Sequence, residues 1–260
     1  MQPAGRFTGT LGIQPRDGNL AMNETDRKDA TIEVRNPRTG AYDFNFEPAS
    51  RAAVAEAAAR LRAAQGEWWA SGLDARAGAL RAFAEAVEAR QEALLGALTA
   101  DTGRFVIACI ELQNIRHIVE RTIALAEQAF APQPPAEAAI PGLFARTQWV
   151  PYPVVGVISP WNFPVLLAMI DALPALAAGC AVLFKPSEVT PRHAGVLLEC
   201  FHSVPALAPV TEVALGPGET GAAVVDHVDA VAFTGSIRTG RIVAERAAAN
   251  FIPAFLEMGG

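Results

Sequence analysis

At 260 residues, with 51% hydrophobic and 18% charged side chains, the chain has the composition of a folded domain, neither disordered nor fibrous. A chain of this length buries about three quarters of the surface it exposes when unfolded, enough for one large domain or two modest ones. A net charge of −6 and a pI near 5.3 give no counterion release on phosphate backbones or anionic lipid, so neither nucleic acid nor membrane is an expected partner.

In chain order, residues 1–30 lack the apolar stretch of a signal peptide and read as a loose tail. Thr31 to Gly40, TIEVRNPRTG, alternates and closes in a Pro/Gly turn, which predicts a short hairpin at the head of a segment spanning 31–130. From about Ser50 to Phe130 the pattern is helical and rich in Ala, Leu, Glu and Arg. Breaks near Gly66, at Ser71-Gly72 and at Asp101-Thr102-Gly103 suggest three long helices. The proline-rich run Ala131 to Leu143 opens a linker and arm over 131–153.

From 154 to 260 the period becomes βα. Strands are expected near 154–158, 181–185, 211–215, 230–233 and 253–257, with helices at about 164–178, 192–203, 219–225 and 236–249. The apolar run Val165 to Phe184 is long enough to raise a transmembrane reading, but Asp171, Pro174 and Gly179 interrupt it. A buried helix running into a buried strand accounts for it better. The predicted fold is thus α/β, a Rossmann-like parallel sheet with flanking helices, preceded by a helical region. Because crossover helices make the strands parallel, the loops after them open at one sheet edge, where ligands of such sheets bind.

Four motifs fall at those strand ends: Pro160-Trp161-Asn162-Phe163-Pro164, Phe184-Lys185-Pro186-Ser187-Glu188, Phe233-Thr234-Gly235-Ser236-Ile237-Arg238-Thr239-Gly240, and the terminal Leu256-Glu257-Met258-Gly259-Gly260. Together, in this order, they resemble the NAD(P)-dependent aldehyde dehydrogenases. The resemblance implies oxidation of an aldehyde to a carboxylic acid with NAD as cofactor, NADP being the other possibility. It also implies that the arm serves a homo-oligomer and that the family's nucleophilic cysteine lies beyond Gly260. The chain is therefore expected to be truncated before the catalytic domain and inactive alone. A non-catalytic dinucleotide-binding or interaction module is the competing reading.

Carried over residue by residue, the resemblance makes Asn162 a donor to the oxyanion formed when a thiolate attacks the aldehyde. Read by itself, Asn162 is more often a helix cap, and the motif reverses that weighting. Glu257 becomes the base that activates water, a role suited to a largely apolar pocket, against the plainer reading of an exposed glutamate at a frayed chain end. Lys185 and Glu188, with Pro186 and Ser187 between them, take the ribose positions, or form a solvated turn. Glu188 facing a 2′-phosphate would favour NAD over NADP. The loop Ile158, Ser159, Pro160, Trp161 joins the cofactor site. Phe233, Gly235 and Ser236 place a helix start at a pyrophosphate, though Gly-Ser is also routine capping. Gly218 resembles a glycine beside the adenine, yet a plain turn fits it too.

Cys109, Cys180 and Cys200 are odd in number and lack CxxC spacing, so neither a disulfide framework nor a zinc cluster is implied, and the expected compartment is the cytoplasm. Each reads as a small buried hydrophobe. His117, His193, His202 and His227 have no ligand spacing, and no metal is expected.

Overall fold

The apolar runs read from the sequence become the strands of one central sheet in the computed structural model, which describes residues 31–140 and 142–259. The expected tail over 1–30 lies outside the described residues. Strands β1 (Ile32–Arg35) and β2 (Tyr42–Phe46) form the foreseen antiparallel hairpin. Four helices follow: α1 (Arg51–Ala70), α2 (Leu73–Ala89), α3 (Gln91–Thr102) and α4 (Phe105–Ala129).

Three helices were expected here, with a break near Gly66, and both points are corrected. Gly66 lies inside α1. Its propensity cost of about 1 kcal/mol relative to Ala is small beside the burial of Val54, Ala58, Leu61 and Trp68 along the same helix. The division that was missed falls at Arg90, between α2 and α3, where no Gly or Pro marks it. In the proline-rich segment, β3 (Ala136–Glu137) pairs with β4 (Phe144–Ala145), while residues 147–153 contain no strand.

The central sheet consists of β5 (Val154–Ile158), β6 (Ala181–Lys185), β7 (Thr211–Val213), β8 (Ala230–Gly235) and β9 (Ala254–Met258). All its pairings are parallel and its order is β7-β6-β5-β8-β9. The crossovers are α5 (Leu166–Ala177), α6 (His193–His202), α7 (Gly218–His227) and α8 (Ile237–Ala249). From β5 the chain builds outward to β7 and then returns to the other side of β5. Between β5 and β8 the loops after the strands therefore diverge and leave a crevice. Every residue of β5 and β6 is buried, as parallel strands covered on both faces require. Gly156 in β5 lets α7 come close, because a Cβ there would stand 2.8 Å from a methyl of Val224.

The helical region is fastened to the sheet through the end of α5. Trp68 Nε1 donates to the Leu176 carbonyl at 3.0 Å, Arg76 Nε to that of Ala177 at 3.0 Å, and Gln65 Nε2 to that of Gly179 at 2.8 Å. These donors reach carbonyls at or just beyond the C-terminus of α5, which lack partners within the helix. Gly179 has a φ of +92°, and a Cβ there would lie 2.4 Å from the Trp69 ring, so both the turn and the packing require glycine. Among the described residues no helix is long and apolar enough to cross a membrane.

Candidate active site

The loops after β5, β6 and β8 and the end of β9 enclose one cleft of about 920 Å³. Ile158, Ser159, Pro160, Trp161, Asn162, Lys185, Ser187, Glu188, Gly218, Phe233, Gly235, Ser236 and Glu257 all line it, brought together from positions scattered over a hundred residues. Pro186 is the one residue named for the site that does not line it.

Asn162 does not cap α5. That helix starts at Leu166, and its first N–H groups are taken by the buried Glu111 of α4, whose carboxylate accepts from Val165 N and Leu166 N at 2.9 Å each. The Asn162 backbone carbonyl is fixed instead by Arg104, whose guanidinium donates to it at 2.8 Å and covers the Phe163 ring. The loop is thereby held from the residue that precedes α4, while the Asn162 side chain is exposed at the cleft, without a hydrogen-bond partner among the described residues. Sequence reasoning missed Glu111 because the pairing spans more than fifty positions and no local pattern announces it.

Lys185 ends β6 with its side chain almost wholly buried, and its ammonium meets the Glu188 carboxylate at 3.1 Å. KPSE is thus no freely solvated turn: one end of the pair is rooted in the sheet and the other reaches the opening. Ser236 caps α8, its hydroxyl oxygen accepting from Thr239 N at 3.2 Å. The capping reading is realised, and the hydroxyl also meets the Thr239 Oγ1 at 3.0 Å; if Thr239 donates in that contact, the Ser236 proton is available to a ligand, so capping and ligand contact are compatible. Gly218 opens α7 with nothing within 4 Å of where a Cβ would stand, so the backbone there faces open space.

Two features at or near the cleft were not anticipated. Thr239, Ile242, Val243 and Arg246 line it from α8, at a spacing that puts them on one helical face. Arg246 is held by Asp226 through two hydrogen bonds of 2.6 Å, which pull the Asp226 carboxyl down to about 2. Asp171 of α5 has its carboxyl pushed up to about 6, first by burial and then by the negative charge of Glu257, against a hydrogen bond from the Thr234 side chain. Glu257 itself is exposed on β9, so the largely apolar pocket expected around it is not formed by the described residues.

No cysteine lines the cleft. Cys180 and Cys200 are buried, which pushes both thiols up to about 11, while Cys109 lies part-buried on α4. Buried neutral thiols are poor nucleophiles. Among the described residues no cluster of His, Cys, Asp or Glu is placed to hold a metal ion.

A parallel sheet of this order, with a helix N-terminus and a Lys–Glu pair at its topological switch, defines a Rossmann-like dinucleotide-binding unit. Comparison with known proteins makes the class specific: the aldehyde dehydrogenase family model matches residues 24–260, and the chain belongs to that family. It is 32% identical over 259 residues to 3,6-anhydro-alpha-L-galactose dehydrogenase of Streptomyces coelicolor, covering 97% of this chain and 51% of that protein. Geranial dehydrogenase of Castellaniella defragrans is 38% identical over 204 residues, which cover 74% of this chain and 41% of that one. The solved structure of PutA from Anabaena variabilis superposes with a TM-score of 0.85 at 45% identity, over 89% of this chain and 49% of that chain. Betaine aldehyde dehydrogenase of Staphylococcus aureus, solved in complex with NAD+, superposes with a TM-score of 0.80 at 29% identity, over 88% and 46%. The chain spans about half the length of these relatives.

Proposed function

We propose that this chain carries the NAD-binding half of an aldehyde dehydrogenase that converts an aldehyde, NAD+ and water to a carboxylic acid and NADH. The observation that carries the reading is the convergence in one cleft of Lys185 and Glu188, the start of α8 at Ser236, the donor Asn162 and the acid Glu257. The cleft fits the cofactor: at about 920 Å³ it falls within the roughly 300–1,000 Å³ usual for such ligands. Lys185 and Glu188 offer a donor and an acceptor for ribose hydroxyls, and the first turn of α8 offers backbone N–H groups and a positive dipole end for the pyrophosphate. NAD, when bound, supplies the hydride acceptor.

The chain's own residues do the rest. In this reading the Asn162 side-chain NH₂ donates to the developing oxyanion, and the Arg104 bond to its carbonyl limits how far the loop can drift. Glu257 takes a proton from the water that cleaves the acyl intermediate. Residues 131–153 act as an arm between copies in a homo-oligomer, and three unpaired cysteines suit the cytoplasm.

None of the three cysteines is in the cleft, so the 260-residue chain is proposed to bind NAD without turning over aldehydes. The same observation, with the exposure of Glu257, favours as second reading a non-catalytic dinucleotide-binding module. Titrating the purified chain with NAD while following tryptophan fluorescence tests the shared claim, since Trp161 lines the cleft. Saturable binding that weakens by tenfold or more in Lys185→Ala, about 1.4 kcal/mol, is expected. Absence of binding overturns both readings. Sustained NADH production from a panel of aldehydes overturns the claim of inactivity.

A further inference from the structure

A separate cavity of about 370 Å³ is bounded by the end of α1, the start of α2, the end of α4 and the arm that follows, and it shares no lining residue with the cleft. Its apolar wall is a chain of three rings. Phe130 meets Trp69 edge to face at 6.4 Å between centroids, and Trp149 in the same way at 6.5 Å. Trp149 is 55% exposed although it belongs to that wall, so part of a large ring is left open to a ligand.

The charge around this cavity is all of one sign. Arg76 and Arg146 line it, and no Asp or Glu does among the described residues, on a chain whose net charge is −6. Arg146 makes no hydrogen bond or ion pair among the described residues. Arg76 is only 2% exposed, yet no carboxylate neutralises it. Its Nε donates to the Ala177 carbonyl and its Nη1 to that of Trp69 at 2.9 Å, while the guanidinium lies 4.9 Å from the centre of the Trp69 ring. Nη2 has no hydrogen-bond partner among the described residues. The C-terminal end of α5 offers about half a negative charge, so the buried cation is only partly compensated. Burial accordingly pulls the guanidinium below its ordinary value, opposed only by Cys180, whose thiol is neutral near pH 7.

We propose that this cavity is a ligand site separate from the cleft, taking a small carboxylate with a flat apolar body: the acid group between Arg146 and the unengaged Nη2 of Arg76, the body against Phe130 and Trp149. A planar carboxylate matches the fork of N–H donors that a guanidinium presents. The cavity lies at the small end of the roughly 300–1,000 Å³ usual for ligand sites, which suits one ring bearing one acid group and is too small for a dinucleotide. The proposal is independent of what the cleft binds.

The test is calorimetric titration of the full chain with benzoate, with benzamide as the neutral molecule of the same shape. Benzoate should bind saturably at one site, more weakly as salt is raised, and benzamide should bind at least about tenfold more weakly. Arg146→Gln should weaken benzoate by roughly fivefold or more and leave benzamide unchanged, whereas Trp149→Ala should weaken both. Both substitutions are at exposed positions, and unchanged urea midpoints will show that the fold is kept. Arg76 is left intact because it also holds the end of α5. Absence of benzoate binding, equal binding of benzoate and benzamide, or indifference to Arg146→Gln overturns the proposal. So does competition by NAD, which would place benzoate in the cleft, and so does inorganic phosphate binding as tightly as benzoate, which would leave the rings no part in recognition. Benzoate binding that weakens as the protein concentration rises would assign the cavity to a second copy of the chain and overturn it as well.

Discussion

Replacing Glu188 with glutamine should relax discrimination against NADP while leaving NAD binding within a few-fold of wild type. The Lys185 side chain is 6% exposed and that of Glu188 40%, so the carboxylate is the end of the pair that faces the proposed ribose position. A phosphate charge about 4 Å from a carboxylate is repelled by about 1 kcal/mol in water and about 4 kcal/mol at an effective dielectric of 20. At a half-open cleft rim an intermediate value of about 2 kcal/mol applies, which corresponds to roughly 30-fold in relative affinity. Glutamine keeps the shape and a hydrogen-bonding carbonyl for Lys185, so the change isolates the charge. Removing that charge also leaves Lys185 less neutralised, which acts in the same direction. Fluorescence titrations with both cofactors at two ionic strengths measure the ratio, and the effect should shrink at higher salt. Equal affinity of the wild type for NAD and NADP, or an unchanged ratio in the variant, would refute the placement of Glu188 at the ribose.

His193 is fully buried with neither ring nitrogen hydrogen-bonded, and burial pushes it down to about 4, offset only slightly by the nearby Thr190 backbone. Its neutral form is favoured on folding, so the associated stability is present above pH 6.5 and is lost as pH falls toward 4, about 3 kcal/mol in all. His193→Leu should therefore stabilise the chain by about 1–3 kcal/mol at pH 7 and by more at pH 5, read from urea midpoints of the two proteins at each pH. The raised carboxyls Asp101 and Asp171 contribute the opposite slope, but they are common to both proteins and cancel in the difference. An advantage that does not grow on acidification refutes the assignment. For the thiols, a chromogenic disulfide reagent at pH 8 should modify Cys109 well before Cys180 and Cys200; fast reaction of Cys180 in the folded chain would contradict its burial.

Much of the α/β half was legible because its signals are local. Buried parallel strands are unbroken apolar runs, their ends are marked by Ser159-Pro160, Lys185-Pro186 and Gly235-Ser236, and alternation with helices dictates parallel order. The helical half was less so. Gly66 misled because propensity is a weak term beside the burial of the α1 face, and the break at Arg90, between α2 and α3, carries no Gly or Pro to signal it. The same contrast holds in the cleft. The motif residues converge, but the supports that determine what they are free to do come from elsewhere in the chain. Glu111 takes over the capping for which Asn162 alone seemed suited, and Arg104, at the start of α4, grips the Asn162 carbonyl.

Glu257 and Asp171 sit in opposite surroundings. A carboxyl that holds a proton near neutral pH must be sheltered from water or stand beside another negative charge, whereas one that exchanges protons with the cleft must be reachable. Asp171 has the shelter and the neighbouring charge, and Glu257 has the access. β9 pairs only with β8 among the described residues, and Phe255 and Met258 stand exposed beside Glu257. Any surface that covers that edge also shields the carboxyl pair from solvent and strengthens the interaction between the two charges. Covering the edge and strengthening that interaction are therefore one physical event.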